Sequence, residues 1–318
     1  MLFSLRVFRG LFRFFSLRID ENRARVVGEA VGDIGWEGFL HLDMREPEFK
    51  ALSEIYRRIG DSRVVVVLGL ATGIVDFQLG PGGAPRLWNT LLQIVSRRGF
   101  RLRSLDDVRN VISDFLKDPV NARVRKIKCS RVEKFFNSGF AQYLWSTDFS
   151  YLAENPIVVW YRLAKTLNNK PYQKSIVFTM KVLDLITLIV KGRYANFPHN
   201  IPIPLDLHVA RMALTSGIVE YHWVGKLTST IVEELMSRNP QVFRNAWAKV
   251  SQHVSEKIGK HISLLRLDSL IWQIGRKAFE AQYIKNLAKQ KIKQYLAEEV
   301  KINPKVAEKI ANIFTYKM

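Results

Sequence analysis

Cysteine, acid and unbroken apolar runs are all scarce in this chain, and each scarcity removes a class of protein. Cys129 is the one cysteine in 318 residues, so no disulfide can form within the chain, which suits a reducing interior. There is no Cys-x-x-Cys pair to hold zinc, and the four thiolates of an iron–sulfur cluster are missing. His41, His199, His208, His222, His253 and His261 include no His-x-x-x-His pair, so no metal site is expected. The longest apolar run, Val64 to Val75, is too short to span a bilayer. Arg6, Arg9, Arg13 and Arg18 interrupt the apolar start, Met1 to Ile19, which denies a signal peptide its continuous core. That start reads as an amphipathic surface helix, a short β-element, or an element packed on the domain. The expected location is the cytoplasm, with no membrane involved.

What is present is a core and an excess of positive charge. Hydrophobic residues make up 47% and aromatics 11%, enough for one large domain or two modest ones. Lys and Arg number 49 against 29 Asp and Glu, a net charge of +20. Such a surface favours a polyanion, because Lys and Arg displace condensed counterions from phosphates. A ribosome-associated protein, or one from a broadly basic proteome, would carry the same charge. No repeat or low-complexity tract is visible.

Apolar residues recur with helical spacing along most of the chain. Helices are predicted over Glu48–Ile59, over Val64–Phe77 with Ser62 as its cap, over Arg86–Val95, and over Leu105–Leu116 behind a Ser104 cap. Ala122 to Phe136 reads as a strongly basic helix. Further helices are expected at Leu205–Leu214, Leu227–Met236, Val242–Ile258, Leu267–Leu296 and Pro304–Ile313. Val64–Val67 is ambiguous with strand. In the middle, Pro156–Leu167 and a helix from Tyr172 or Gln173 to about Lys191 flank the turn Asn168-Asn169-Lys170-Pro171, whose asparagines tolerate a left-handed backbone. The fold class is all-α. Residues 1–60 read as an N-terminal extension to a domain over 61–318, with the helical hairpin at 156–191.

Two stretches carry the chemistry. Lys174 opens Lys174-Ser175-Ile176-Val177-Phe178-Thr179-Met180-Lys181, in the first turn of an apolar helix, where the helix N-terminus and apolar neighbours both favour a free amine. Asp206 ends Ile201-Pro202-Ile203-Pro204-Leu205-Asp206 at a helix start, within the segment 201–214. Taken singly, such a lysine more often meets solvent or phosphate, and such an aspartate is often a plain N-cap. Phe178 and Lys181 follow Lys174 on one helix face, and Asp268 and Trp272 are spaced i,i+4. Phe178 and Trp272 read alternatively as core aromatics.

In order and separation, the two stretches resemble the active site of the helix-hairpin-helix DNA glycosylases, most of all their archaeal 8-oxoguanine glycosylase/lyase branch. The match covers roughly residues 65 to 275. It implies a two-lobed all-α fold with the active site between the lobes. It also implies removal of 8-oxoguanine from duplex DNA by attack of the Lys174 amine at C1′, followed by β-elimination. Asp206 would stabilise the cationic sugar and move protons. Phe178 and Trp272 would sandwich the extruded base, with Lys181, Asp268 and Gln78 at its edges. Gln78 and Trp88 carry a weaker resemblance, through Ile74-Val75-Asp76-Phe77-Gln78-Leu79 and the tryptophan that follows. The hairpin turn departs from the pattern by lacking the Gly-x-Gly that grips phosphate in many members, which leaves that grip to other amides and to Lys170. By their charge, the basic stretches Arg123–Lys134 and Arg276–Lys293 read as a DNA-facing rim, with a solvated helix face as the alternative for either. The implied protein is a monomer without cofactor. The alternatives are a non-enzymatic, basic, helical nucleic-acid-binding protein, or a glycosylase for an alkylated base.

Overall fold

The computed structural model describes residues 17–221 and 227–318. The expectation for the first nineteen residues therefore lies almost wholly outside the described part, as does His222. In chain order, the described residues open with β1 (Arg18–Ile19), α1 (Glu21–Gly32), α2 (Gly35–Met44), α3 (Pro47–Ile59), α4 (Ser62–Gly73), α5 (Gly83–Arg97) and α6 (Leu105–Lys117). Next come α7 (Arg125–Asn137), α8 (Phe140–Ser146), α9 (Phe149–Glu154), α10 (Pro156–Thr166), α11 (Lys174–Lys191) and α12 (Leu207–Ser216). The chain closes with β2 (Val219–Glu220), α13 (Ser229–Arg238), α14 (Pro240–Ile258), α15 (Leu264–Glu280), α16 (Lys285–Gln294) and α17 (Pro304–Phe314). The class is all-α, as the periodicity indicated; Val64–Val67 is helix, and among the described residues a single two-stranded ladder pairs β1 with β2 antiparallel.

Local chemistry explains most helix ends. Ser104 and Asp107 form a reciprocal capping box at α6. The α4 cap is Asp61, whose carboxylate accepts from Arg63 N, and not Ser62. Pro156 stands at the first position of α10, where its missing N–H costs nothing. α7 begins at Arg125, later than the sequence suggested, because Val124 takes a left-handed backbone. The long C-terminal helix expected over Leu267–Leu296 is broken into α15 and α16, with left-handed Gln282 and Tyr283 between them.

Two compact units emerge. One comprises residues up to Gly38 with Leu205–Ile262 and Leu270–Met318; the other comprises Phe39–Pro204 with Ser263–Ser269. The N-terminal extension assigned to residues 1–60 is thus corrected for its described part. α1 lies in the first unit, and α3 in the core of the second. In the first unit, α1 packs directly on α14. A Cβ at Gly28 would stand 2.5 Å from His253 Cβ, and one at Gly32 would stand 2.6 Å from Lys257 Cβ, distances no side chain tolerates. The second unit has its own apolar core, in which α4 crosses α11 at Gly69 and Gly73.

Buried polar networks also hold the second unit together. Asp43 accepts from the Tyr194 hydroxyl at 2.5 Å and from the Ser269 hydroxyl at 2.6 Å. Asp184 accepts from Ala195 N at 2.7 Å. The Arg266 guanidinium lies 3.5 Å from the Tyr194 ring centre and 3.8 Å from Asp184. Burial, only partly offset by these partners, pushes Asp43 up to about 7 and Asp184 up to about 6. For an acid whose folded value lies above its unfolded one, stability is fully present below the unfolded pKa, near 3.8, and is lost as pH rises through the folded one. The melting temperature should therefore fall from pH 5 to pH 8, by an amount on the order of a few kcal/mol in stability. Calorimetry across that range checks this, and Asp43→Asn should flatten the slope.

Candidate active site

The hairpin is built as its sequence indicated. α10 ends at Thr166, Asn168 takes a left-handed φ of 53°, and Trp160 Nε1–H donates to Pro171 O at 2.8 Å, fastening the loop to α10. α11 then starts at Lys174 itself, capped by the backbone of Gln173 without a side-chain bond. Lys174 is exposed. The apolar surroundings expected of its side chain are therefore not in place, while its place in the first turn of α11 stands. The apolar residues Ile176, Val177 and Met180 turn the other way, into the core.

A short segment after α4 lies beside the start of α11. Gly73 is so close that an added Cβ would meet Thr179 Oγ1 at 3.1 Å. Arg131 on α7 clamps the two pieces: its guanidinium donates to Ile74 O at 3.0 Å and to Ser175 Oγ at 2.9 Å, and lies 4.6 Å from the Phe77 ring centre. Asp76, in this segment, accepts from Trp88 Nε1–H at 2.9 Å. Burial raises the Asp76 carboxyl; the Trp88 hydrogen bond and the charges of Lys174, Lys128 and Lys181 pull it back. The charges of Asp76 and the candidate amine thus interact within the same unit.

Trp88 requires correction as a ligand contact. It is fully buried, and its indole N–H is engaged by Asp76, so its effect passes through that carboxylate. Gln78 is exposed, with a left-handed φ of 51°. Phe178 is half-buried against the core.

Lys181 and Asp268 also depart from the picture of two free edge-readers. Lys181 is 2% exposed and Asp268 5%, and the ammonium donates to Asp268 Oδ2 at 2.9 Å and to Glu46 Oε2 at 3.0 Å. Glu48 Oε1 lies 4.0 Å from the same nitrogen. Burial works against the ammonium, but Asp268, Glu46 and Glu48 outweigh it and hold Lys181 well above its usual value. Burial, followed by the charge of Glu46, drives Glu48 well above the carboxylate range. Sequence reading missed Glu46, Glu48 and Asp76. The available signal was Lys181 itself: a lysine on the inner face of an apolar helix demands a buried carboxylate, and Glu46-Pro47-Glu48 at a helix start is a natural source.

In the other unit, Asp206 has extended backbone and its carboxylate accepts from Val209 N at 3.0 Å, so it is an N-cap. α12 runs on to Ser216 and stops at left-handed Gly217. The Tyr283 phenol, raised by burial, feels Arg211 and then Asp206. Trp272 is half-buried, with the Arg276 guanidinium 5.5 Å from its ring centre. No group of three or more potential metal ligands occurs among the described residues.

The basic stretch on α7 divides by face. Lys128 is buried against Asn121 and Arg131 is half-buried, while Arg123, Arg125, Lys126 and Lys134 are exposed. Only the second group is available to a polyanion.

A hairpin whose second helix begins at Lys174, in an all-α chain with a capping aspartate behind Ile201-Pro202-Ile203-Pro204-Leu205, agrees with the DNA glycosylase class that the sequence resembles. The family model described as AGOG, N-glycosylase/DNA lyase, matches residues 28–309. The chain belongs to that family. An N-glycosylase/DNA lyase of Pyrobaculum aerophilum is 24% identical over 277 residues, covering 86% of this chain and 93% of the relative. One of Nanoarchaeum equitans is 26% identical over 252 residues, covering 79% and 87%. The fold is that of an 8-oxoguanine DNA glycosylase from P. aerophilum in complex with 8-oxoguanosine, with a TM-score of 0.65, 19% identity and coverage of 94% and 98%.

The ion cluster generates a stability prediction. Lys181→Ala would leave Glu46 and Asp268 buried without their cation, and should cost about 3–5 kcal/mol in denaturant unfolding. A loss below about 1 kcal/mol would contradict this account of the cluster.

Proposed function

We propose that this protein excises 8-oxoguanine from duplex DNA and then nicks the strand. The Lys174 amine attacks C1′ as the N-glycosidic bond breaks; the base leaves with a proton, and the resulting Schiff base permits β-elimination. Asp206 stabilises the cationic sugar and moves protons. Phe178 and Trp272, both half-buried, stack on the extruded base, replacing the stacking that extrusion forfeits. Gln78 offers a donor and an acceptor to the base edge. Lys181 and Asp268 serve as a pre-set charged pair whose geometry is fixed by Glu46 before substrate arrives. The chemistry needs neither metal nor cofactor, and one copy of the chain suffices; the expected setting is the nucleoid. The observation that carries the reading is the match to the N-glycosylase/DNA lyase family over residues 28–309, in a chain that places Lys174 exposed at the first position of α11.

Borohydride trapping on a panel of lesion duplexes tests it. The wild-type chain should form a covalent adduct with 8-oxoguanine DNA, and Lys174→Gln should abolish that adduct while keeping DNA affinity within about threefold. Trapping that persists in Lys174→Gln and disappears in Lys181→Gln would name the wrong lysine. Preferential release of an alkylated base would reassign the lesion. Binding without release of any base would leave a nucleic-acid-binding protein.

A further inference from the structure

The face of α15 that carries Trp272 continues beyond it. Trp272, Arg276 and Phe279 are spaced i, i+4 and i+7 and share one side of the helix. Phe279 is 60% exposed, the most exposed of the large apolar side chains among the described residues. It is not a stray ring. His208 meets it edge-on, with centroids 6.1 Å apart and planes at 89°, and Tyr283 meets it edge-on at 6.3 Å and 70°. Tyr283 is in turn fixed by Arg211, whose guanidinium lies 4.2 Å from its ring centre and donates to Ser229 Oγ at 3.1 Å. The turn that brings Tyr283 back toward Phe279 places two successive non-glycine residues, Gln282 and Tyr283, in the left-handed region. Such backbone is costly and persists where the surrounding structure enforces it. An exposed ring braced by two others, at the end of a strained turn, is shaped for contact.

Charge indicates the partner. Arg276 is exposed between the two aromatics, and the next helix, α16, carries Lys285, Lys289, Lys291 and Lys293 with no acidic residue. Glu280 lies 3.8 Å from Arg276 and 3.7 Å from Lys277, Glu299 lies 3.7 Å from Lys277, and Glu308 pairs with Lys293 at 3.0 Å, which still leaves the cations of α15 and α16 in excess. Aromatic faces set among cations suit unpaired nucleic-acid bases, since every base has a stacking face and a phosphate beside it. Phe279 stands seven residues beyond Trp272, about 10 Å along the helix, or about three stacking steps of a nucleic-acid strand.

We propose that Phe279, braced by His208 and Tyr283, is a stacking surface for DNA bases whose faces are bared when the nucleotide is extruded. The proposal rests on the reading of Trp272 as the platform for that nucleotide. Extrusion leaves neighbouring bases with one bare face, and an apolar ring inserted there offsets the lost stacking and holds the duplex open. Arg276 holds the intervening phosphate.

The test is binding to a duplex containing an uncleavable abasic analogue, measured at several salt concentrations, together with release of 8-oxoguanine from an otherwise identical duplex. Phe279→Ala should weaken binding roughly tenfold without changing the slope of log affinity against log salt, and Phe279→Trp should bind like the wild type. Arg276→Ala should instead lower that slope by about one. Binding by Phe279→Ala within twofold of the wild type would overturn the proposal, as would a change confined to self-association of the chain. Because the ring is exposed, both Phe279 variants should melt with the wild type. The two readings fail separately. If the abasic duplex is bound through Phe279 but no base is released, the stacking surface stands and the glycosylase reading falls. If base is released and Phe279→Ala binds and cuts normally, the reverse holds.

Discussion

One buried ammonium organises the second unit. Lys181 sits in the middle of α11, the apolar helix that opens with Lys174, and cannot remain there as a cation without counter-charge. Asp268 from the start of α15 and Glu46 from the turn before α3 supply it by direct hydrogen bonds, and Glu48 adds its field. Two segments distant in sequence, 46–48 and the one that carries Asp268, are thereby fastened to one point of α11. The segment 263–269 is held a second time, through Ser269 on Asp43 and Arg266 on Tyr194. Apolar packing alone would tolerate sliding of these helices by fractions of an ångström. Directional bonds to a buried charge do not, so the helix that opens with Lys174 is held in place.

A second arrangement depends on the first. With α11 fixed, the close approach of Gly73 to Thr179 and the Arg131 clamp on Ile74 O and Ser175 Oγ place Asp76 in the field of Lys174. Trp88, fully buried, points its only polar atom at that carboxylate. Thus an aromatic residue with the look of a ligand contact spends its hydrogen bond inside the protein, while the exposed aromatics Phe279 and Tyr172 lie at element ends.

Several elements were legible because their causes are local. Asn168 could be assigned left-handed backbone from residue type and position, and the Ser104 cap from a hydroxyl three residues before an acid. Asp206 as an N-cap followed from Pro-x-Pro and a helical run behind it. The break between α15 and α16 was not legible. Gln282 and Tyr283 have no intrinsic preference for positive φ, and they adopt it where Arg211, a distant residue, holds the tyrosine ring. Residues 17–60 were misread as an extension for a similar reason. The glycines of α1 mean little until α14 lies against them, and Glu46 and Glu48 look like surface acids until Lys181 is brought to them.

The sequence by itself determined the helical class, the hairpin, the place of Lys174 at a helix start, the cap at Asp206 and the attraction to a polyanion. All of these depend on periodicity, turn chemistry and charge count, which act within a few residues or over the whole chain at once. Tertiary structure alone decided which cations face inward, which carboxyls burial pushes upward, that Trp88 serves Asp76, and that Phe279 is left bare. Those outcomes depend on desolvation and on partners supplied from far along the chain, and neither exists until the helices have packed.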